Sequence, residues 1–171
     1  MNVQSAYFAG GCFWGVEYHF EKLEGVKGAI SGYMGGHLNN PSYKEVCDGR
    51  TGHLEVVRVD YDPDIVTFEE LAELFFEIHD PTQKNGQGPD IGNQYLSAIF
   101  YNNQEEKDIA QALIDILKNK GYDIATELIS THNTPFFEAE EYHQDYYFKH
   151  NKQPYCHKYI KRLKIIMYFL T

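Results

Sequence analysis

Residues 3–25, VQSAYFAGGCFWGVEYHFEKLEG, decide the reading of this chain. VQSAYFA is a short strand by composition, and it runs straight into the pair Gly10-Gly11. Beyond the pair, Phe13, Val16, Phe20 and Leu23 recur at three- and four-residue steps until Gly25 stops the pattern. That is a strand, a tight turn and an amphipathic helix, with Cys12 at the very start of the helix. The glycines on either side of the thiol allow a sharp turn and a close approach, and Phe13 and Trp14 supply two rigid rings. The stretch predicts an exposed thiol beside an aromatic wall.

Outward from there, VKGAISGYMGG (26–36) predicts a second strand ending in a glycine turn. NNPSYKEVC (39–47) offers Asn40 as an N-cap with Pro41 at the first helical position, and a short helix there sets Tyr43 and Cys47 on one face. LEVVRVDY (54–61) alternates, so Glu55, Val57, Val59 and Tyr61 share one side of a strand. Thr67 and Glu70 form a capping box before a helix whose face is Phe68, Leu71, Phe75 and Ile78. Residues 80–94 are rich in Gly, Pro, Asn and Asp without periodicity, which marks a functional or disordered loop. YLSAIFY follows as a strand, then a helix capped by Asn103 and Glu106 runs through Ile109, Leu113, Ile116 and Leu117 to Gly121. ATELIS is read as the last short strand, EAEEYHQDYYFKH (138–150) as a further helix, and the basic, apolar tail beyond Pro154 as helical. The order strand–helix–strand, twice, predicts an α+β fold: a two-layer α/β sandwich with a mixed or antiparallel sheet. Its core would be a split-βαβ, ferredoxin-like unit wrapped in long coil. Residues 1–171 read as a single catalytic domain, with 152–171 as a C-terminal tail.

With 171 residues and a net charge of −10, the chain is a poor partner for nucleic acid or anionic membranes. Its three cysteines, Cys12, Cys47 and Cys156, lie far apart, and with no CxxC pair they describe neither a disulfide framework nor a zinc site. The first ten residues lack the basic and apolar regions of a signal peptide, and no apolar run approaches the roughly 20 residues of a membrane span. A cytoplasmic protein is the expectation.

Cys12 carries the chemistry. At a helix N-terminus a thiol meets unpaired N–H groups and the positive end of the dipole, which favour thiolate. A nucleophile is therefore preferred over a buried, inert cysteine. Glu55 points toward apolar neighbours, where desolvation raises its pKa and makes it a proton donor near neutrality. Tyr43, Tyr95 and Asp90 stand beside loops and can bind a polar oxygen. His143 and Tyr146 lie at helical spacing; a Cys12–His143 hydrolase pair lacks any local group to orient the histidine.

GCFWG, SGYMGG, NPSYKEVC, TGHLEVV, HDPTQ, GPDIGNQYLSAIF and AEEYHQDY, in this order, resemble the motifs of the peptide methionine sulfoxide reductase A family from Gly11 to about Tyr155. The resemblance implies reduction of the S-epimer of methionine sulfoxide, free or in proteins. It implies Cys12 as nucleophile and Glu55 as protonated acid. Phe13 and Trp14 would receive the substrate methyl, Tyr43 and Tyr95 would face the sulfoxide oxygen, and Asp90 would order the site. A second thiol would then condense with the Cys12 sulfenic acid, and an external dithiol such as thioredoxin or dithiothreitol would reduce the disulfide. No metal and no bound cofactor are implied, and a monomer is expected. Two departures stand out: Leu96 where many members have Arg, and Pro154 where the tail commonly has glycine before the cysteine. Cys156 is favoured as the resolving thiol, with Cys47 as competitor. A thiol peroxidase or redox sensor, and a non-catalytic sulfoxide-binding module, are the rival classes.

Overall fold

β1 (Gln4–Gly10) and β2 (Val26–Met34) run parallel without touching, because β3 (Leu54–Tyr61) lies between them and pairs antiparallel with both. α1 (Phe13–Glu21) connects β1 to β2 across that gap. The same device repeats when α3 (Phe68–Ile78) links β3 to β6 (Ser97–Tyr101), with β1 between them. The computed structural model describes residues 2–163, and its main sheet is completed by β7 (Glu127–Ser130), parallel to β6, and β8 (Phe137–Glu138), antiparallel to β2. The order is β7-β6-β1-β3-β2-β8, a mixed sheet on the expected split-βαβ core.

The alternation in β3 decides the layers. Val57, Val59 and Tyr61 join Phe8, Val16, Phe20, Leu71 and Phe75 in one core under the helices. Val56 turns the other way and packs with Ala9, Met34, Ala98 and Phe100 beneath Tyr7, Leu54, Ile129 and Phe136. Phe8 stacks on Phe20 at 4.9 Å and meets Phe75 at 5.2 Å, pairs worth about 1 kcal/mol each beyond their burial. Thr67 and Glu70 form the expected capping box on α3. α4 (Gln104–Asn119) starts at Asn103, whose side chain accepts from Glu106 N–H; the Glu106 carboxylate accepts from Asn102 N–H instead of closing the box on Asn103. Its buried stripe is Ala110, Leu113, Ile114 and Leu117, while Ile116, expected on that face, is exposed.

Four local expectations are corrected. α2 (Tyr43–Cys47) begins at Ser42, which forms a capping box with Glu45, so Asn40 and Pro41 lie outside it; Asn40 is left-handed at φ 49°. Residues 138–150 are not one helix. They comprise part of β8, a 3₁₀ turn at Glu141–His143 and α5 (Tyr146–Lys149), separated at Asp145 by a left-handed φ of 53°. β8 itself was unforeseen, so ATELIS is not the last strand. Residues 154–163 contain no helix, and the rest of the tail lies outside the described residues. The loop of residues 80–94 includes a minimal hairpin, β4 (Gly86–Gln87) with β5 (Asp90–Ile91), and the start of a 3₁₀ turn at Asn93–Tyr95. Among the described residues, no helix is long and apolar enough to cross a membrane.

Candidate active site

β1 ends at Gly10, and Gly11 adopts φ 94°, a left-handed conformation that costs glycine nothing. Cys12 follows as the N-cap of α1, with no side-chain capping bond. Against the glycine turn lies Gln87, whose amide accepts from Asp80 N–H at 2.8 Å and donates to Asp80 C=O at 2.9 Å. One buried amide thus folds the long loop onto the thiol-bearing turn.

Cys12 is 6% exposed, not the open thiol expected. Burial pushes it well above the usual thiol range, the Glu55 charge adds to this, and a hydrogen bond with the Trp14 backbone pulls less strongly the other way. The helix start therefore does not populate thiolate at rest; desolvation outweighs the local dipole.

Glu55 is 2% exposed on the helix-facing side of β3. Its Oε1 accepts from Phe13 N–H at 3.1 Å, and its buried Oε2 has no hydrogen-bond partner among the described residues. Burial raises its pKa to about 8; the Phe13 bond lowers it, and the nearby Asp90 charge adds to the rise. At neutral pH Glu55 is predominantly a carboxylic acid, which can donate through Oε2. Keeping it protonated also avoids two adjacent buried anions when a thiolate forms at Cys12.

The aromatic residues divide. Phe13 is 1% exposed and packs between Tyr33 and His143, so its ring belongs to the core and its backbone N–H holds Glu55. Trp14 is half-buried, stacks on Tyr146 at 3.6 Å and 5°, and donates its indole N–H to His143 Nδ1 at 3.0 Å. Because an indole can only donate, His143 accepts at Nδ1 and carries its proton on Nε2. Burial lowers its pKa, so it serves as a neutral orienting group. No hydrogen bond described for His143 goes to Cys12.

Tyr43 opens α2. Its backbone N–H donates to Glu140 Oε2 at 3.0 Å, its ring lies 4.5 Å from His143, and its phenol is raised chiefly by burial, with Cys47 and Glu55 contributing. Tyr95, ending its 3₁₀ turn, has a phenol raised mainly by burial and then by the charges of Glu55, Cys47, Asp90 and Cys12. Asp90 accepts from Tyr155 OH at 3.1 Å on both oxygens, and after burial its charge is the next cause that raises the Cys156 thiol. Cys156, itself half-buried and pushed up to about 12 chiefly by burial, belongs to the same cluster, and its charge is felt at Cys12. The fold thus gathers Cys12, Phe13, Trp14, Tyr43, Glu55, Asp90, Tyr95 and Cys156 from five stretches of chain. Leu96, the family departure, lines an open concavity of about 290 Å³ with Leu54, Gln83 and Ala125.

The arrangement joins a buried thiol, a neutral carboxylic acid and phenols under an indole, which suits reduction of a polar S–O bond in an apolar side chain. Residues 4–167 match the family described as peptide methionine sulfoxide reductase. The chain belongs to the peptide methionine sulfoxide reductase family. This reductase is 47% identical over 155 residues to the peptide methionine sulfoxide reductase MsrA of Sulfolobus acidocaldarius, covering 90% of this chain and 87% of that one. It superimposes on reduced Mxr1 from Saccharomyces cerevisiae with a TM-score of 0.82 and 36% identity, covering 93% of each chain. Mxr1 in complex with Trx2 is similar at a TM-score of 0.60 and 26% identity, covering 93% and 91%. The reductase therefore carries out thiol-dependent reduction of methionine sulfoxide, which decides among the three classes the residues left open.

Sequence reasoning passed over His157, Gln87 and Glu140, and left His143 without a role. Each acts through a partner distant in sequence, except Gln87, whose partner Asp80 lies inside the aperiodic loop. No local pattern marks them. As for cations, Glu17, Glu21 and Asp145 have oxygens within 4.8 Å of one another. Glu17 already accepts from Ser31 OH and Asp145 N–H, and burial raises Glu21 to about 9, with a hydrogen bond to Asp145 contributing.

Proposed function

We propose that Cys12 attacks the sulfoxide sulfur while Glu55 protonates the oxygen. The observation that carries this is the buried Glu55 acid, bound at Oε1 by the first helical N–H after the thiol and unpartnered at Oε2. Sulfoxide oxygen departs poorly as an anion, and one positioned proton transfer is worth about 10²–10⁴-fold in rate. The Cys12 proton replaces the one Glu55 delivers, so the acid ends as it began. Cys12–SH and sulfoxide become Cys12–SOH and methionine, with atoms and electrons balanced.

Trp14 receives the substrate methyl, backed by Phe13, and Tyr43 and Tyr95 bind the oxygen, which selects the S-epimer. Asp90 orders the loop and the tail. Cys156 resolves the sulfenic acid as an intramolecular Cys12–Cys156 disulfide, and Cys47, held on the short helix α2, does not. An external dithiol of the thioredoxin class then reduces the disulfide, by analogy with the relative solved in complex with Trx2. The chain works as one catalytic domain and a monomer, without a bound cofactor, in a reducing compartment such as the cytoplasm.

The test is a single turnover with each resolved epimer and no reductant. Wild type should yield one equivalent of methionine from the S-epimer, and folded Cys12→Ser should yield none. Methionine from Cys12→Ser, or equal use of both epimers, would overturn the reading.

A further inference from the structure

Something lies directly on Gly15, and it is a histidine from the tail. A Cβ built on Gly15 would overlap the His157 imidazole, and one on Gly11 would come within 3.5 Å of its Nε2. The ring is 3% exposed and occupies the space that the two glycines around Cys12 leave empty. Its Nε2 is 2.6 Å from Gly10 C=O. A carbonyl accepts only, so Nε2 carries the ring proton and Nδ1 is left as an acceptor. The atom facing Nδ1 is Cys156 Sγ at 3.2 Å, whose S–H can donate. The His157 carbonyl in turn meets His19 Nε2 at 3.2 Å. Burial keeps the imidazole neutral, which this bonding pattern requires.

We propose that His157 is a positioning residue for the second half-reaction, its ring pinning the Cys156 segment to the glycine turn that bears Cys12 and so selecting Cys156 over Cys47 as resolving thiol. This rests on the reading of Cys156 as the resolving cysteine. The other bond next to Cys156, from Tyr155 to Asp90, involves a tyrosine that is 64% exposed and competes with water. The next buried anchors are further along, where Glu77 C=O accepts from Ile160 N–H at 2.7 Å and Glu77 Oε2 from Arg162 N–H at 2.8 Å. His157 is therefore the fixed point nearest the thiol. It also answers for Pro154: a segment docked by its histidine does not depend on glycine to swing inward. In the step it serves, the S–O bond of Cys12–SOH breaks and a Cys12–Cys156 S–S bond forms. The Cys156 sulfur is oxidised, the Cys12 sulfur reduced, and the Cys156 proton leaves with the hydroxide as water.

One turnover without external thiol separates the halves, with methionine read by chromatography and cysteine links by timed peptide mapping. In His157→Ala, methionine should appear at the wild-type rate. The Cys12–Cys156 link should form about a hundredfold more slowly, the cost of a thiol displaced by about an ångström. Meanwhile a 1,3-dione should trap Cys12 sulfenic acid, or a Cys12–Cys47 link should appear. His157→Gln keeps an N–H where Nε2 was and should recover most of the rate, whereas His157→Asn is too short and should not. A His157→Ala enzyme that forms the link at the wild-type rate or faster overturns the pin alone. If that variant fails to fold, equal rates in the Gln and Asn variants overturn it. Wild type that forms no Cys12–Cys156 link overturns the resolving-thiol reading and the pin with it.

Discussion

Residues 4–61 and residues 138–163 supply facing parts of one site, and different forces hold them. In the first region the sheet ladders β1–β3 and β2–β3 run over many residues, and the side chains below them are apolar. Between residues 138 and 163 regular structure amounts to one residue of β8, a 3₁₀ turn and a four-residue helix. Buried polar side chains do the attaching there. Gln144 accepts from Ser31 N–H at 2.9 Å and donates to Ser31 C=O and Ala139 C=O at 2.9 and 3.1 Å. Glu17 accepts from Asp145 N–H at 3.0 Å, His143 from Trp14, and Gly10 C=O from His157. A segment with little ladder of its own can be placed accurately this way, because each orphaned buried group costs about 1–3 kcal/mol. The arrangement is selective but brittle: losing one side chain releases a stretch of backbone.

The largest effect should come from the first region's own polar intruder. Glu55→Gln keeps its shape and can still accept from Phe13 N–H, but it has no acidic proton. Single-turnover methionine formation should slow by roughly 10²-fold or more. In wild type the same rate should fall as pH rises through about 8, where Glu55 loses its proton. Stability carries the same sign. A carboxyl raised from 4.5 to about 8 favours the folded state most below pH 4.5, and that contribution drains away as pH climbs toward 8. Thermal unfolding of Glu55→Gln should therefore lose less stability between pH 5 and 9 than wild type does, and parallel curves would argue against a buried neutral acid.

Next in size is Gln144→Ala, which orphans Ser31 N–H and leaves a void, while Ser31 C=O keeps its bond from Ala139 N–H. Urea titration should show a loss of about 3 kcal/mol. Proteolysis should open residues 138–163 before the sheet, and simultaneous cleavage of both regions would dissolve the distinction drawn above. A smaller change is expected at the α3 cap, on the ladder side. Thr67→Ala removes the acceptor for Glu70 N–H and should cost about 1 kcal/mol, with methionine formation unchanged. Smallest of all is Lys84→Ala. The Lys84–Asp123 pair at 3.0 Å is largely in water, and the midpoint of denaturation should shift by less than about 0.5 kcal/mol.

What could be read from residue order is what repeats along it. The alternation at Glu55, Val57, Val59 and Tyr61 and the 3–4 spacing at Phe13, Val16 and Phe20 specify which face is buried. With the Thr67–Glu70 box, they made the split-βαβ core legible, and alternation put Glu55 on one face with Val57, Val59 and Tyr61, which the structure turns toward the helices. Periodicity misled at residues 138–150, where helical spacing gave way to an Asp145 φ of 53°. The groups that hold those residues, on Glu17, Ser31 and Trp14, lie more than a hundred positions away. Asn40 and Ser42 are equally good caps by type; Ser42 prevails where its Glu45 partner and Glu140 on Tyr43 N–H meet. Cys12 was legible as the proposed nucleophile at a helix start, but the burial that sets its acidity was not. A helix N-terminus is a local feature, whereas desolvation counts every atom the fold brings near, and here that sum leaves the thiol protonated. His157 against Gly15 is the same lesson in space: glycine announces room for an approach, and tertiary structure decides what fills it.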